Sequence, residues 1–398
     1  MRISTADSYN TSLDTLMQRQ TQLSATQLQM TTGKRVNVAS DDPAAAARSE
    51  RAQAAEQRTV ANQRAVDASS NAMTLTESAL GDAGSLLQQA RVALVAAGNA
   101  TYSDAERMTV ANQLADLRQQ LLSVANRTDS SGQFLFGGQS ATQAPFSDVP
   151  GGVQYQGAAG QALAASSDAL PLTMDGQATW MQARTGNGVF ATSAVVSTGT
   201  AWIDSGSVTN PAAITGATYS IQFGVSAGAT TYSVLKNGAP TAQTNVVFTP
   251  GQAIQVDGMS ATVNGQPANG DAFQLAPSSP TLSVFGALDK AIADLKVPGR
   301  TGTQIAQSNA ANLGNLDAVL GQVLAGRSQV GATMNRIDAV TGRLSALKLS
   351  SQTERSHAED IDMTQAISSF SNQQTGYSAA LKAYAMVQRL SLFNYLNP

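Results

Sequence analysis

The chain has 398 residues, which is room for two or three domains, and it contains no cysteine, so disulfides, thiolate metal sites and a cysteine nucleophile are excluded. Charged residues make up 13% of the chain and the formal net charge is −3, which leaves no basic surplus to hold nucleic acid or an anionic membrane. No run of about 18 apolar residues is present, so no membrane span is predicted. Residues 1–14 lack the apolar segment of a secretory signal, and any export is expected to leave the N-terminus intact.

A coiled-coil helix is predicted for residues 1–40, and it is expected to pair with residues 361–398. Its apolar and glutamine positions alternate steps of four and three, a spacing that keeps one stripe facing a partner helix. Gly33 is the predicted stop, because glycine readily adopts the left-handed conformation that ends helices. The stripe comprises Tyr9, Leu13, Leu16, Gln20, Leu23, Gln27 and Met30.

Residues 41–140 are predicted to form the first part of a helical domain. Ser40–Pro43 offers capping oxygens, acidic groups and a first-turn proline, and a helix of more than fifty residues follows to about Ala97. Ser103–Glu106 has the spacing of a capping box and opens another helix. The stripe of that helix is Val110, Leu114, Leu117, Leu121 and Val124.

Residues 141–284 are predicted to form an inserted β domain, because glycine, proline and β-branched residues become dense there. Tyr219–Phe223 alternates inward and outward side chains as a half-buried strand does. Three dipeptides have the composition of hairpin turns, namely Asn237-Gly238, Asp257-Gly258 and Asn264-Gly265.

The second part of the helical domain is predicted for residues 285–360, with a long helix from about Thr303. We interpret the stripes of 43–127 and 303–350 as the ordinary core of a helical bundle. Arg327 occupies one interior position and makes this stripe imperfect. The stripe consists of Leu313, Leu316, Leu320, Val323, Arg327, Val330, Met334, Ile337, Thr341 and Leu344.

The C-terminal coiled-coil helix is predicted for residues 361–398, with a four-three stripe of Met363, Ile367, Phe370, Gln374, Tyr377, Leu381, Tyr384, Gln388, Ser391 and Tyr395. From residue 363 onward the chain carries only two charges, on Lys382 and Arg389. A lone helix with so few buried apolar groups is marginal in water, so this segment is expected to need partners on several sides. The predicted assembly interface is Tyr9, Leu13, Leu16, Leu23, Met30, Met363, Ile367, Phe370, Tyr377, Leu381, Tyr384 and Tyr395.

These elements predict an α+β, multidomain fold in which long N- and C-terminal helices form coiled-coil and helical-bundle domains around an inserted, mainly antiparallel β domain. No enzyme is expected. His357 is the only histidine, so a zinc pair cannot form and a catalytic triad would depend on that residue alone. Thr32–Arg35 is similar to the end of a phosphate loop, but Leu28 stands where that loop needs glycine. No catalytic, cofactor or metal residue is therefore predicted.

Several short motifs in fixed order resemble the flagellin superfamily, over roughly the first 150 and last 110 residues. Three segments differ from true flagellins, namely Met30–Gly33, Asp41–Pro43 and Leu396–Pro398. In these segments the chain is more similar to the hook-associated proteins of the hook–filament junction. The motifs that carry the resemblance are Met1–Thr5, Thr32–Asn37, Ser40–Pro43, Phe134–Gly138, Glu359–Met363, Tyr377–Leu381 and Ser391–Leu396.

The resemblance implies a structural protein of the bacterial flagellum, exported by the flagellar type III apparatus and extracellular at the hook–filament junction after a transient stay in the cytoplasm. The implied partners are copies of itself in a ring, hook-associated protein 1, flagellin, and a cytoplasmic export chaperone at the C-terminal helix. No nucleic acid, membrane or small-molecule substrate is expected. Two alternatives stay open at this point: the filament subunit flagellin, and a surface adhesin that uses the β domain.

Overall fold

The computed structural model describes residues 5–99, 101–226 and 228–396, and within these ranges it describes the side chains of residue 7 and of residues 9 to 386. The chain divides into two compact units, one of residues 1–64 and 340–398 and the other of residues 65–339. Its six α-helices in the described part are α1 (Thr5–Thr32), α2 (Pro43–Ala97), α3 (Asp104–Ala125), α4 (Val284–Lys296), α5 (Gly302–Glu359) and α6 (Met363–Leu396). None of these helices, within the described residues, is long and apolar enough to cross a membrane.

The first unit contains α1, the start of α2, the end of α5 and α6. The predicted stop is confirmed, because α1 ends at Thr32 and Gly33 follows with a φ of +71°. The predicted start of the long helix is also confirmed. One carboxylate oxygen of Asp42 accepts hydrogen bonds from the amides of Ala44 and Ala45 at 3.1 and 2.9 Å, which satisfies two free amides at the start of α2.

The helices of the second unit form a bundle with α4 packed beside α3. The predicted capping box opens α3, where the Ser103 hydroxyl and the Glu106 carboxylate each accept a hydrogen bond from the other residue's amide. The predicted stripe of α3, from Val110 to Val124, is buried throughout. The helix α4 was not predicted as a separate element; Ser283 caps it by accepting a hydrogen bond from the Gly286 amide at 2.8 Å.

Arg327 corrects the predicted stripe of α5. The sequence spacing placed it inside, but the structure places it at the surface, where its Nε donates to Glu77 at 2.7 Å. The buried seam instead passes through Val323, Gly326 and Val330. At Gly326 an added Cβ would lie 3.3 Å from Thr179, so the absence of a side chain lets α5 approach the segment that follows α3.

An aromatic cluster lies where the helices of the second unit meet the first hairpin, β1 (Phe146–Val149) and β2 (Gly152–Tyr155). The rings of Trp180 and Phe285 stack at 5.9 Å, and Phe136 meets Trp180 edge-on at 5.3 Å. Phe146 contacts both Trp180 and Phe285. Burial of these large rings joins α4 to the chain that leaves α3.

The β domain packs two antiparallel sheets around one apolar core. Its strands are β3 (Phe190–Val196), β4 (Trp202–Ile203), β5 (Ser207–Val208), β6 (Tyr219–Ser226), β7 (Ala229–Lys236), β8 (Ala239–Pro240), β9 (Val246–Val247), β10 (Ala253–Val256), β11 (Met259–Asn264) and β12 (Ala272–Pro277). The larger sheet has the order β3-β12-β6-β7-β8, with β9 also beside β7, and the smaller one has the order β10-β11-β4, with β5 beside β11. The predicted antiparallel β domain is thereby confirmed.

Two of the three predicted hairpin turns are confirmed. Asn237-Gly238 joins β7 to β8 and Asp257-Gly258 joins β10 to β11, and all four residues have positive φ, as a type I′ hairpin turn requires. The third prediction is wrong. Asn264-Gly265 ends β11 without forming a hairpin, because the chain continues beside Thr200, whose amide donates to the Gln266 carbonyl at 2.9 Å.

Candidate assembly interface

The two terminal helices lie against each other in opposite directions. Tyr9 of α1 contacts Tyr384 of α6 with ring centroids 5.6 Å apart. Further along α1, the hydroxyl of Thr26 donates to Gln373 at 2.9 Å. The partner number falls as the α1 number rises, so the pair is antiparallel.

The seam between these helices contains both large and small side chains. Leu16, Thr26 and Ala366 are buried there. Gly376 provides space for a charged side chain, because a Cβ at this position would lie 2.7 Å from Nη1 of Arg19. Of the predicted interface residues, Leu16 is buried and five more are half-buried: Leu23, Met30, Phe370, Tyr377 and Tyr384.

Five other predicted interface residues are exposed in the isolated chain: Tyr9, Leu13, Met363, Ile367 and Leu381. The seam of α6 passes through Ala366, Gln373 and Ala380 rather than through Ile367, Gln374 and Leu381. Small and polar residues therefore occupy part of the seam of α6, and the predicted residues Ile367, Gln374 and Leu381, one position further along, are exposed. The side chain of the remaining predicted residue, Tyr395, lies outside the described residues.

Most of the exposed large apolar residues of both helices lie on one side of the pair; Met386 of α6, which is 62% exposed, points in another direction. At about 100° per residue, each exposed stripe is rotated from the seam by roughly a quarter turn, in the same sense along its own helix. In an antiparallel pair, equal rotations place both stripes on the same side. We call this surface the outer face and define it as Tyr9, Leu13, Met17, Leu28, Met363, Ile367 and Leu381.

The outer face has no charge. The polar residues interspersed at the same angles are uncharged, such as Gln20 and Ser24 on α1 and Gln374 and Ser378 on α6. Met17 is 51% exposed and Leu28 is 53% exposed, and neither was predicted as an interface residue. A search for apolar positions at four-residue steps beside the main stripe would have found Met17. An uncharged strip of large apolar side chains open to solvent marks a contact surface.

Among the described residues, Asp41, Asp148 and Asp271 have lowered pKa values, and in each case the cause is a hydrogen bond or ion pair that stabilises the local structure. The amides of Val38 and Asn37 lower the pKa of Asp41, and the Arg118 guanidinium lowers the pKa of Asp148. Burial would raise the pKa of Asp271, but hydrogen bonds from Thr198, Ala268 and Gly199 outweigh it and the pKa is lowered. No group of three or more metal-binding side chains occurs in the part of the chain that the structure describes.

Comparison with known proteins places this architecture in a family. Residues 3–141 match the bacterial flagellin N-terminal helical region, and residues 313–396 match the bacterial flagellin C-terminal helical region, together more than half of the chain. The crystal structure of the flagellar junction protein FlgL from Legionella pneumophila is 30% identical, with a TM-score of 0.64 over 70% of this chain and 95% of that one. The chain belongs to the flagellar hook-associated protein 3 family.

Other relatives agree with membership of the hook-associated protein 3 family. Flagellar hook-associated protein 3 of Escherichia coli (strain K12) is 27% identical over 99% of both chains. The crystal structure of Xanthomonas campestris FlgL in space group C2 is 28% identical, with a TM-score of 0.68 over 77% of this chain and 99% of that one. The resemblance seen in the sequence is confirmed, and these relatives favour the junction protein over flagellin.

Proposed function

We propose that this hook-associated protein 3 family member is a structural subunit that assembles as a ring at the hook–filament junction, between hook-associated protein 1 and flagellin. The observation that carries the proposal is the uncharged outer face on both terminal helices. We expect no catalytic step in this role. Neighbouring copies or partner subunits would bury the outer face and supply the apolar contacts that a two-helix pair lacks by itself.

The same surface supports a proposal about export. An exposed uncharged apolar strip is an aggregation hazard in a free chain. We propose that a cytoplasmic chaperone covers α6 before the flagellar type III apparatus exports the protein. After export, covering by neighbouring subunits would replace covering by the chaperone.

The test uses a strain that lacks the gene and is complemented with variants. Leu381→Asp places a charge on the outer face, whereas Ala379→Asp places the same charge on an exposed position of α6 that points away from both the outer face and the seam. We expect Leu381→Asp to leave bare hooks in electron micrographs and flagellin free in the medium. Ala379→Asp should restore filaments.

Two outcomes would count against the proposal. Normal filaments with Leu381→Asp would show that the outer face is not an assembly surface. A strain without the gene that has neither filament nor flagellin in the medium would identify the chain as the filament subunit. The copy number per filament separates the same alternatives, because a filament needs far more subunits than a junction.

A further inference from the structure

The two links that connect the terminal helices to the long helices pair with each other. One link is residues 33–42, between α1 and α2, and the other is residues 360–362, between α5 and α6. The Ile361 amide donates to the Gly33 carbonyl at 3.1 Å, and Lys34 and Asp360 form an antiparallel bridge. Segments that are more than 300 residues apart in the sequence thus form one structure, which we call the clasp.

The clasp caps the C-terminus of α5 with groups from the other link. The last carbonyls of a helix have no partners within the helix. Here the Glu359 carbonyl accepts from the amides of Arg35 at 2.6 Å and Val36 at 3.4 Å, and the Ala358 carbonyl accepts from Nη2 of Arg35 at 2.8 Å. A guanidinium at this end also interacts favourably with the helix dipole.

The same guanidinium reaches the start of α2. Nη1 of Arg35 lies 3.1 Å from Oδ2 of Asp42, while the other oxygen of that carboxylate caps α2. One planar fork therefore connects the negative end of α5 to the acidic cap at the positive end of α2. Lysine has a single ammonium on a flexible stem and cannot reproduce the two fixed directions.

A second connection lies beside the first. The Glu359 carboxylate accepts from the Ser49 hydroxyl at 2.8 Å and pairs with Nζ of Lys34 at 3.3 Å. Glu359 is the last residue of α5, Ser49 lies on α2 and Lys34 belongs to the first link. The main-chain and side-chain atoms of Glu359 thus contact both the first link and α2.

We propose that Arg35 is a positioning residue for assembly: it caps α5 from the opposite end of the chain, so that the α5–α6 link takes its structure only when the α1–α2 link is folded. The clasp thereby sets the terminal helix pair in the arrangement that presents the outer face. Its effect on assembly rests on the proposed function, whereas its effect on the free chain does not.

The first experiment is hydrogen exchange on the full-length free chain. In Arg35→Gln we expect the amides of Ile361 and Val36 to exchange about tenfold faster or more, because a charge-assisted cap of two helix ends is lost. Arg35→Lys should give an intermediate rate. The control is Arg51→Gln, since Nε of this exposed arginine bonds only to the Ala47 carbonyl of its own helix among the contacts described. Wild-type exchange at both amides in Arg35→Gln would overturn the proposal.

The second experiment complements the deletion strain with the same variants. We expect Arg35→Gln to lower the fraction of hooks that carry filaments, with partial recovery in Arg35→Lys and full recovery in Arg51→Gln. Faster exchange together with wild-type filaments would overturn the positioning role and leave the outer-face proposal intact. Circular dichroism of Arg35→Gln checks that the long helices are retained, so that loss of filaments is not due to unfolding.

Discussion

The hydroxyl of Thr26 donates a hydrogen bond to the side-chain oxygen of Gln373 at 2.9 Å in the seam between α1 and α6. Thr26 is buried and Gln373 is half-buried, so water replaces this hydrogen bond poorly if it is lost. The contact also fixes the register, because it specifies which turn of α1 faces which turn of α6. Apolar residues alone specify register less strictly than a paired polar group does.

Thr26→Val is therefore expected to destabilise the terminal pair by about 1 kcal/mol, since it leaves the Gln373 amide without its partner while keeping the side-chain shape. The measurement is hydrogen exchange along α1 and α6 in the free chain. Thr21→Val is the matched control, because the Thr21 hydroxyl is exposed and bonds to the Met17 carbonyl of its own helix. Equal effects of the two substitutions would mean that the contact between helices contributes nothing.

Arg118 joins three elements of the second unit. Its guanidinium donates to both carboxylate oxygens of Asp148 at 2.6 and 2.9 Å and to Asp289 on α4 at 3.1 Å. We expect Arg118→Gln to lower the free energy of unfolding by about 1–2 kcal/mol, a value reduced because the carboxylates are partly exposed. Thermal unfolding of the two proteins measures this loss of stability. The control is Arg127→Gln, which removes a more exposed ion pair with Asp82 and should lower the stability less. A larger loss in Arg127→Gln would contradict this ranking.

Local chemistry made the helix boundaries predictable from the sequence. Gly33, Asp42 and Ser103 end or cap helices through groups within a few residues of themselves. Their effect can therefore be predicted without knowing the fold. The clasp was not predictable in this way. Its central contact joins Arg35 to the Ala358 carbonyl, and no local pattern shows which distant helix end an arginine will cap.

The seam of α6 was predicted only in part for a related reason. A four-three spacing identifies a helix that packs, but several stripes about a quarter turn apart satisfy it equally well when small residues are common. Ala366 and Gly376 allow close approach, and this decided the seam in favour of their side of the helix. As a result, the larger side chains of Ile367 and Leu381 lie on the outer face.

Asp271 gives a prediction for the pH dependence of the β domain. Its carboxylate is buried and accepts from the amides of Thr198, Gly199 and Ala268 at 2.7, 3.1 and 2.8 Å. Because its pKa is lowered in the folded state, the charged form stabilises the domain above the ordinary carboxyl pKa, and this contribution is lost as the pH falls through the folded pKa.

Asp271→Asn should consequently cost about 1–3 kcal/mol at neutral pH, since an amide offers one acceptor where the carboxylate offers two. The difference in unfolding temperature between wild type and variant should narrow as the pH is lowered into the acid range. Asp116→Asn, on an exposed position of α3, serves as the control. A difference that stays constant or widens on acidification would show that the charge on Asp271 does not carry the effect.

The position of both stripes on one side of the terminal pair makes a prediction for α1. If the outer face is one continuous surface, Met17→Asp should produce the same bare hooks and free flagellin as Leu381→Asp. Gln18→Asp puts the same charge on an exposed neighbouring residue that points away from the face, and it should restore filaments. Both substitutions lie in one helix and have similar effects on helix propensity, so a difference between them reports the direction of the side chain. Equal incorporation of Met17→Asp and Gln18→Asp would mean that only the α6 stripe contacts neighbours, and that α1 supports α6 without contacting the next subunit.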